Sequence, residues 1–174
     1  MALVYVSVGS NLERETSVRQ GLARLGTSYG ALAISPVYES VAVGMEGPAF
    51  LNLVVGFHTV LSAPELAVEL RVIEAECGRE RPADGSWQPR TLDLDLLTYA
   101  DQNYRDANLD LPRDEIERYP FVLKPLLDLV PDGVYTRTGE SYQSLWDTLG
   151  ADDDTLHPYA LDLDHGLGQE HGHP

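Results

Sequence analysis

Cysteine and lysine are almost absent from this 174-residue chain, which has one of each, Cys77 and Lys124. A single cysteine cannot form an internal disulfide, which suits a reducing compartment, and we expect a cytoplasmic protein. No signal-like leader and no bilayer-length apolar run is present, so no membrane association is expected. The net charge is −16 and no basic stripe exists, which argues against binding to nucleic acid.

Several phosphate- and acyl-transfer motifs are also missing. There is no Gly-x-x-x-x-Gly-Lys-Ser/Thr loop and no Gly-x-Gly-x-x-Gly after a strand. No Ser/His/Asp set typical of acyl transfer is present. A bound nucleotide must therefore be held by metal and arginine. The acidic excess with scarce lysine is typical of proteins from salt-rich cytoplasms, where screening reduces self-repulsion.

The most informative segment present is residues 89–97, which read PRTLDLDLL. Its apolar, branched core predicts a buried strand, and residues two apart share a face. Asp93 and Asp95 should therefore lie side by side, roughly 7 Å apart at Cα. Neighbouring carboxylates resist desolvation unless a cation lies between them, and oxygen ligands favour Mg²⁺ or Mn²⁺. The alternative is an edge strand with two solvated aspartates.

Arginines and aromatic residues surround this strand in the sequence. The arginines are suited to phosphate because guanidinium offers a planar fork of donors and stays charged; they are Arg71, Arg79, Arg81 and Arg90. The alternative for part of this group is pairing with surface acids such as Glu74. Phe50 and Phe121 could stack on a flat heterocycle, although an aromatic residue is more often part of the core. Asn52 shares a strand face with Phe50 and could bind the heterocycle's edge.

Hydrophobic periodicity predicts the order β-α-β-β-α-β, with strands near 3–8, 31–38, 50–59 and 93–99. This is an α+β, ferredoxin-like arrangement, with an antiparallel sheet and both helices on one face. C-terminal helical additions are expected at 116–129 and 142–149. Residues 1–150 should form a single domain, and residues 151–174 an acidic, histidine-containing, flexible tail.

Ordered segments of the chain resemble the 6-hydroxymethyl-7,8-dihydropterin pyrophosphokinase family of folate biosynthesis. They are GSN, SPVYES, FLN, IEAECGRER, PRTLDLDLLTY and FVLKPLLDLVPD, and they extend from about residue 2 to residue 146. The resemblance implies transfer of pyrophosphate from ATP to the pterin hydroxymethyl group, releasing AMP. It also implies two Mg²⁺ ions and small-molecule partners only, namely ATP and a reduced hydroxymethylpterin. We expect a monomer or weak dimer.

The resemblance also implies roles for individual residues. Asp93 and Asp95 would bind the metal ions and act in catalysis together with Arg81 and Arg90. The residues expected to contact the nucleotide are Arg71, Glu74, Arg79, Arg81, Trp87, Arg90, Arg113 and Arg118. The residues expected to contact the pterin are Ser40, Val43, Phe50, Asn52, Asp93 and Phe121.

The chain departs from the family pattern on the nucleotide side. Arg113 stands where the family usually has histidine, and Arg71 stands where an amide is common. Arg118 lies three residues before Phe121, whereas the family's arginine lies two before. These changes indicate a divergent member. Two alternatives remain open: a nucleotidyltransferase that uses the same aspartates, and a non-catalytic ATP- or pterin-binding module.

Overall fold

The computed structural model describes residues 1–41, 47–78, 91–149 and 154–163, which form an antiparallel sheet with helices on both faces. In chain order the elements are β1 (Ala2–Ser10), α1 (Arg14–Tyr29), β2 (Ala33–Ile34), β3 (Tyr38–Ser40), β4 (Phe50–Thr59), α2 (Ala63–Glu76), β5 (Asp93–Tyr99), β6 (Tyr104–Arg105), β7 (Asp110–Leu111), α3 (Glu115–Arg118), α4 (Pro120–Leu129), β8 (Val134–Tyr135), β9 (Glu140–Ser141), α5 (Tyr142–Leu149) and β10 (Leu156–Pro158). The prediction of a mixed α and β fold with an antiparallel sheet is confirmed. None of the described helices is both long and apolar enough to cross a membrane.

The main sheet has the strand order β10-β3-β4-β1-β5, and β2 also pairs with β4. β1 lies between the two longest partners, β4 and β5, and pairs with β4 from Ala2 opposite Thr59 to Ser10 opposite Leu51. The alternation of side chains along β1 then decides what each face of the sheet carries.

Each face of the sheet has its own apolar core. The even-numbered side chains of β1, such as Val6, are buried against α1 and α2. On the opposite face, Val54 and Leu97 pack with α3, α4 and α5, and Tyr5 borders this second core. Ser7 and Gly9 follow Tyr5 on that same face but line an open cleft. One sheet face is therefore divided into a packed end and a cleft.

The second predicted strand, at 31–38, is broken in the structure at Pro36, which has no N–H to donate to a ladder. Ser35 bridges the break, because its N–H donates to the carbonyl of Val54 at 2.9 Å. The N–H of Val54 donates in turn to Ser35 Oγ at 2.8 Å. The chain thus runs along β4 as two short strands, β2 and β3.

The predicted helix at 116–129 is also divided, into α3 and α4. The break is at Tyr119, which is extended with φ −125° and ψ 120°. Pro120 follows it, and the residue before a proline is disfavoured in helical conformation. The division places Tyr119 and Phe121 on a corner at the rim of the cleft.

Part of the segment predicted to be a flexible tail, residues 156–158, is an ordered strand in the structure. These residues form β10, which pairs with β3 at the outer side of the sheet. Backbone pairing orders a polar segment without requiring many apolar side chains, which is why composition alone did not predict it. Residues 151–153 and 164–174 of the predicted tail lie outside the described residues.

Candidate active site

Two neighbouring aspartates on β5 face the cleft. Asp93 is paired with Gly9 of β1, and Asp95 is paired with Ser7, so both carboxylates emerge on the same face as predicted. The intervening Leu94 is buried on the opposite face. The side chain of Asp95 keeps 39% of its surface exposed. The pair is thus attached to a well-packed strand and open to solvent on the cleft side.

Polar contacts hold β5 on both sides of this pair. The buried Ser10 hydroxyl donates to the carbonyl of Thr91, two residues before Asp93. On the outer edge of β5, the N–H of Leu94 donates to Glu74 Oε1 of α2 at 2.8 Å. Glu74 is buried, with only 1% of its surface exposed. The backbone between the two aspartates is therefore anchored by a side chain from the neighbouring helix.

The charges around Asp95 oppose one another. Desolvation in the cleft raises the pKa of the Asp95 carboxyl above its usual range, and the charge of Arg113 acts in the opposite direction. The negative charge of Asp93 raises this pKa further. Arg71 contributes a weaker lowering effect, with Nη2 3.9 Å from Asp95 Oδ1. Ionisation of these carboxylates in the cleft is therefore unfavourable, and a bound cation would offset that cost.

The cleft beside the aspartates has a volume of about 270 Å³. Its far side carries Phe50 and Phe121, and Phe121 is stacked on Tyr119 with ring centroids 5.1 Å apart and planes at 18°. Asn52 also lines the cleft, and its Nδ2 donates to Ser40 Oγ at 2.7 Å. This cleft offers flat apolar walls with an oriented amide, which suits a planar heterocycle.

A second cavity, of about 320 Å³, also has Asp95 in its lining. Its walls combine leucines from α2, β5 and the loop before β7 with Arg71 and Arg113; the leucines are Leu70, Leu94, Leu96 and Leu109. Asp95 and Arg113 line both cavities. Two separate ligands could therefore meet at the aspartate pair.

Arg113 is fixed at the junction of the two cavities. Its backbone N–H donates to the carbonyl of Leu97 at 2.9 Å. Its guanidinium forms a bidentate pair with Glu115, with Nη2–Oε1 2.9 Å and Nε–Oε2 3.0 Å. Arg113 lowers the pKa of the Glu115 carboxyl to about 2, so this pair stays charged across the neutral range. A rigid guanidinium here is suited to bind phosphate oxygens.

The structure brings together most of the predicted residues that it describes. Those that line the first cleft are Ser40, Phe50, Asn52, Asp93, Asp95, Arg113 and Phe121. Arg71 borders the second cavity. Val43, Arg79, Arg81, Trp87 and Arg90 lie outside the described residues.

Two residues predicted to contact the nucleotide, Glu74 and Arg118, line neither of the two cavities, and their contact with the nucleotide stays a prediction. Glu74 is buried against the backbone of β5 and against Arg71, so its carboxylate does not face either cavity. Arg118 has 57% of its side chain exposed and pairs with Asp114 at 3.1 Å. It lines neither of the two cavities described here. Sequence position placed both residues near the site, but their side chains are directed elsewhere.

Several cleft residues were not predicted from the sequence. They are Ser7, Gly9, Val41, Leu97, Glu115, Tyr119 and Val122. For Ser7 and Gly9 a signal existed, because the polar and small residues of β1 alternate with its buried valines. Glu115 had no such signal, since its role depends on a contact with Arg113.

The donor chemistry of the site fits a divalent cation. Asp93 and Asp95 supply hard oxygen ligands on one face. Among the described residues, no group of three or more His, Cys, Asp or Glu side chains could hold a metal by itself. Mg²⁺ needs no such group, because it is usually bound by one or two carboxylates, waters and substrate phosphates.

Comparison with known proteins gives the family. Residues 5–131 match the family model of 7,8-dihydro-6-hydroxymethylpterin-pyrophosphokinase. Relatives named 2-amino-4-hydroxy-6-hydroxymethyldihydropteridine pyrophosphokinase include one from Pseudomonas aeruginosa, 40% identical over 74% of this chain and 81% of its own length. One from Aquifex aeolicus is 34% identical over 78% of this chain and 84% of its own length.

Other similar proteins are longer than this chain. A Synechocystis pyrophosphokinase is 41% identical over 60% of this chain, and the match spans about half of its length, 52%. The fold is similar to the crystal structure of wild-type Plasmodium falciparum HPPK-DHPS, with a TM-score of 0.67 and 12% sequence identity, over 84% of this chain and 44% of that one. The family match, covering most of the chain, and the two relatives covered over most of their length carry the conclusion. This chain belongs to the 7,8-dihydro-6-hydroxymethylpterin-pyrophosphokinase family.

Proposed function

We propose that this chain is an ATP-dependent pyrophosphokinase of folate biosynthesis. The hydroxymethyl oxygen of 6-hydroxymethyl-7,8-dihydropterin forms a bond to the β-phosphorus of ATP. The bond from that phosphorus to the oxygen shared with the α-phosphate breaks, AMP leaves with that oxygen, and the hydroxyl proton is released. The family match and the names of the relatives support this reaction.

The observation that carries the proposal is the position of Asp95 between two different cavities. The cleft with Phe50 and Asn52 suits the flat pterin, and the cavity with Arg71 and Arg113 suits the nucleotide. Asp95 lines both, so the reacting ends of two substrates would meet at the acidic pair. Such positioning, together with charge stabilisation, provides most of the catalysis of phosphoryl transfer.

In the proposed site Asp93 and Asp95 hold Mg²⁺, with two ions expected. When bound, such ions neutralise the phosphate charge and orient the triphosphate for in-line attack. The protein's own contribution is to keep the carboxylates on one face of β5 and to present the rigid Arg113–Glu115 pair beside them. Arg79, Arg81, Arg90 and Trp87 remain proposed nucleotide contacts.

On the pterin side, we propose stacking and hydrogen bonding as the means of recognition. Phe121, already stacked on Tyr119, and Phe50 supply apolar walls for the ring. The Asn52 amide is oriented by its bond to Ser40, which directs the amide oxygen towards the Gly9 side of the cleft. Val43 remains a proposed contact of the loop between β3 and β4.

Finer features of the fold and its setting are also proposals. The order β3-β4-β1-β5 with α1 and α2 on one face supports a ferredoxin-like arrangement. We propose a single domain over residues 1–150 and a monomer or weak dimer. The single Cys77, which forms no disulfide in the structure, supports a cytoplasmic location.

Product analysis tests the function directly. The full chain is incubated with ATP, Mg²⁺ and reduced hydroxymethylpterin, and nucleotides are separated by chromatography. We expect AMP that depends on the pterin, without ADP. Released inorganic pyrophosphate with a nucleotidylated product would support a nucleotidyltransferase, and binding without turnover would support a non-catalytic module. Omission of Mg²⁺ serves as the control and should stop AMP formation.

A further inference from the structure

Arg14, the first residue of α1, joins three segments of the chain behind the cleft. Its Nη1 donates to the carbonyl of Ala49 at 3.1 Å, and its Nη2 lies 2.6 Å from Glu39 Oε2. Its guanidinium carbon lies 5.1 Å from the centre of the Tyr159 ring. A single cation therefore contacts the end of β3, the start of β4 and the C-terminal segment.

Two of these contacts lie next to cleft residues. Glu39 directly precedes Ser40, and Ala49 directly precedes Phe50. Because side chains alternate along β3, Glu39 points away from the cleft while Ser40 points into it. Arg14 thus acts on the ends of the β3–β4 connection from the face opposite the cleft. It has no place in the lining of the cleft.

The C-terminal segment supports the same strand from its outer side. β10 pairs with β3, with Leu156 opposite Ser40 and Pro158 opposite Tyr38. The N–H of Tyr159 extends this pairing by donating to the carbonyl of Val37 at 2.9 Å. A three-residue strand at the edge of a sheet is held weakly, and a second neighbour reduces its freedom.

Further bonds secure the C-terminal segment itself to α1. The Tyr159 hydroxyl donates to the Glu15 carboxylate, and Arg19 Nε donates to the carbonyl of Asp162 at 2.9 Å. On the cleft face, the hydroxyl of Tyr38 donates to Asp128 of α4. β3 is therefore held from both faces and from its outer edge. The segment that completes this support lies beyond the family match at residues 5–131.

We propose that Arg14 is a positioning residue for the pterin pocket and that β10 with Tyr159 completes a brace around it. The brace holds Ser40, and through it Asn52, together with Phe50 in the geometry that binds the ring. It contacts neither substrate. This inference rests on the proposed function, because it takes the cleft of Ser40, Phe50 and Asn52 as the pterin site.

The test compares variants of the full chain in steady-state kinetics with ATP and pterin varied separately. Arg14→Ala should raise the KM for pterin about 10-fold. A change of this size corresponds to the loss of one charge-assisted hydrogen bond. The KM for ATP should change by less than about twofold, and so should kcat. Arg14→Lys keeps the charge near Glu39 but not the fork, so we expect an intermediate KM for pterin.

Three further variants separate the brace from general stability. Arg24→Ala is the matched control, since Arg24 lies on the same helix and forms an ion pair of the same length, 2.6 Å, with Glu76 away from the cleft. It should leave both KM values unchanged. Tyr159→Phe keeps the ring beside Arg14 and should retain a lower KM for pterin than Tyr159→Ala.

The outcomes are distinguishable when equilibrium pterin binding is measured alongside turnover. Equal pterin affinity in the Arg14→Ala and Arg24→Ala variants would overturn the brace, and so would a parallel rise of both KM values. If the parent chain forms AMP while the Arg14 variants behave normally, only the brace is wrong. If the parent chain binds no pterin, both the proposed function and the brace are wrong.

Discussion

Asp95 illustrates the conflict between stability and function at the residue scale. The cleft desolvates its carboxyl and Asp93 repels it, so ionisation of Asp95 opposes folding. A group whose pKa is raised by folding stabilises the protein below its unfolded pKa, and this contribution is lost as the pH rises through the folded pKa. The fold retains this charge at the point where both cavities meet, as expected for a metal ligand.

The first prediction concerns Asp95→Asn, which removes the charge and keeps the shape. Turnover should fall at least about 10²-fold, because a group that organises transition-state charge is lost. In metal-free buffer the variant should have a higher free energy of unfolding than the parent at neutral pH. Because asparagine does not ionise, this difference should disappear below the usual Asp pKa. Denaturant unfolding across the pH range measures this.

A near-normal rate of Asp95→Asn with Mg²⁺ would contradict the assignment of Asp95 to the metal site. Ser7→Ala is a suitable companion variant, since Ser7 faces Asp95 across the strand pair without supplying a charge. It separates loss of the carboxylate from a small change in the cleft.

At the scale of elements, the contact between α2 and β5 positions the aspartate pair. Glu74 accepts from the outward N–H of Leu94, on the side of β5 where no strand of the described residues pairs with it. Glu74 also contacts Arg71, with Nη1–Oε1 3.1 Å, and Arg71 in turn approaches Asp95. The helix thus controls both the backbone and one of the cations at the site.

The second prediction follows from this contact. Glu74→Ala leaves the Leu94 N–H unsatisfied and should destabilise the protein by about 1–3 kcal/mol while lowering turnover. Glu74→Gln keeps an acceptor for Leu94 and should stay close to the parent in stability. Thermal and denaturant unfolding measure the difference between the two variants. Equal stability of Glu74→Ala and Glu74→Gln would show that the hydrogen bond does not anchor β5.

At the scale of the whole molecule, the charge is strongly unbalanced. The chain has 28 acidic residues and 12 Lys or Arg residues, giving the net charge of −16. The structure places several of these cations in pairs at the cleft and at the ends of β3, as with Arg113 and Arg14. The acidic side chains outnumber the cations and therefore repel one another, and salt should screen that repulsion.

The third prediction is that KCl stabilises the protein. Between about 0.1 M and 1 M KCl the Debye length falls from roughly 10 Å to 3 Å, so repulsion between surface charges is largely removed. The midpoint of thermal unfolding should rise by several degrees over this range. Sucrose is the uncharged control, because it stabilises by exclusion from the surface without screening. No rise with KCl would contradict this explanation.

Much of the architecture could be predicted from local patterns. The strand at 50–59 has the predicted bounds and β5 ends at Tyr99 as predicted, because alternation of apolar residues is a property of the segment itself. The prolines limited this accuracy: Pro36 divided the predicted second strand, and Pro120 divided the predicted helix. In both cases a missing N–H and a restricted preceding residue override the apolar pattern.

The sequence by itself determined the mixed α and β architecture, the shared face of Asp93 and Asp95 on β5, and the shared face of Phe50 and Asn52 on β4. These depend on spacing within single strands, where the period of two places each side chain. Only the tertiary structure decided that Glu74 holds β5, that Glu115 holds Arg113, and that residues 156–158 complete the sheet beside β3. Those roles arise from contacts between separate segments, and no local period encodes which donor will meet which acceptor.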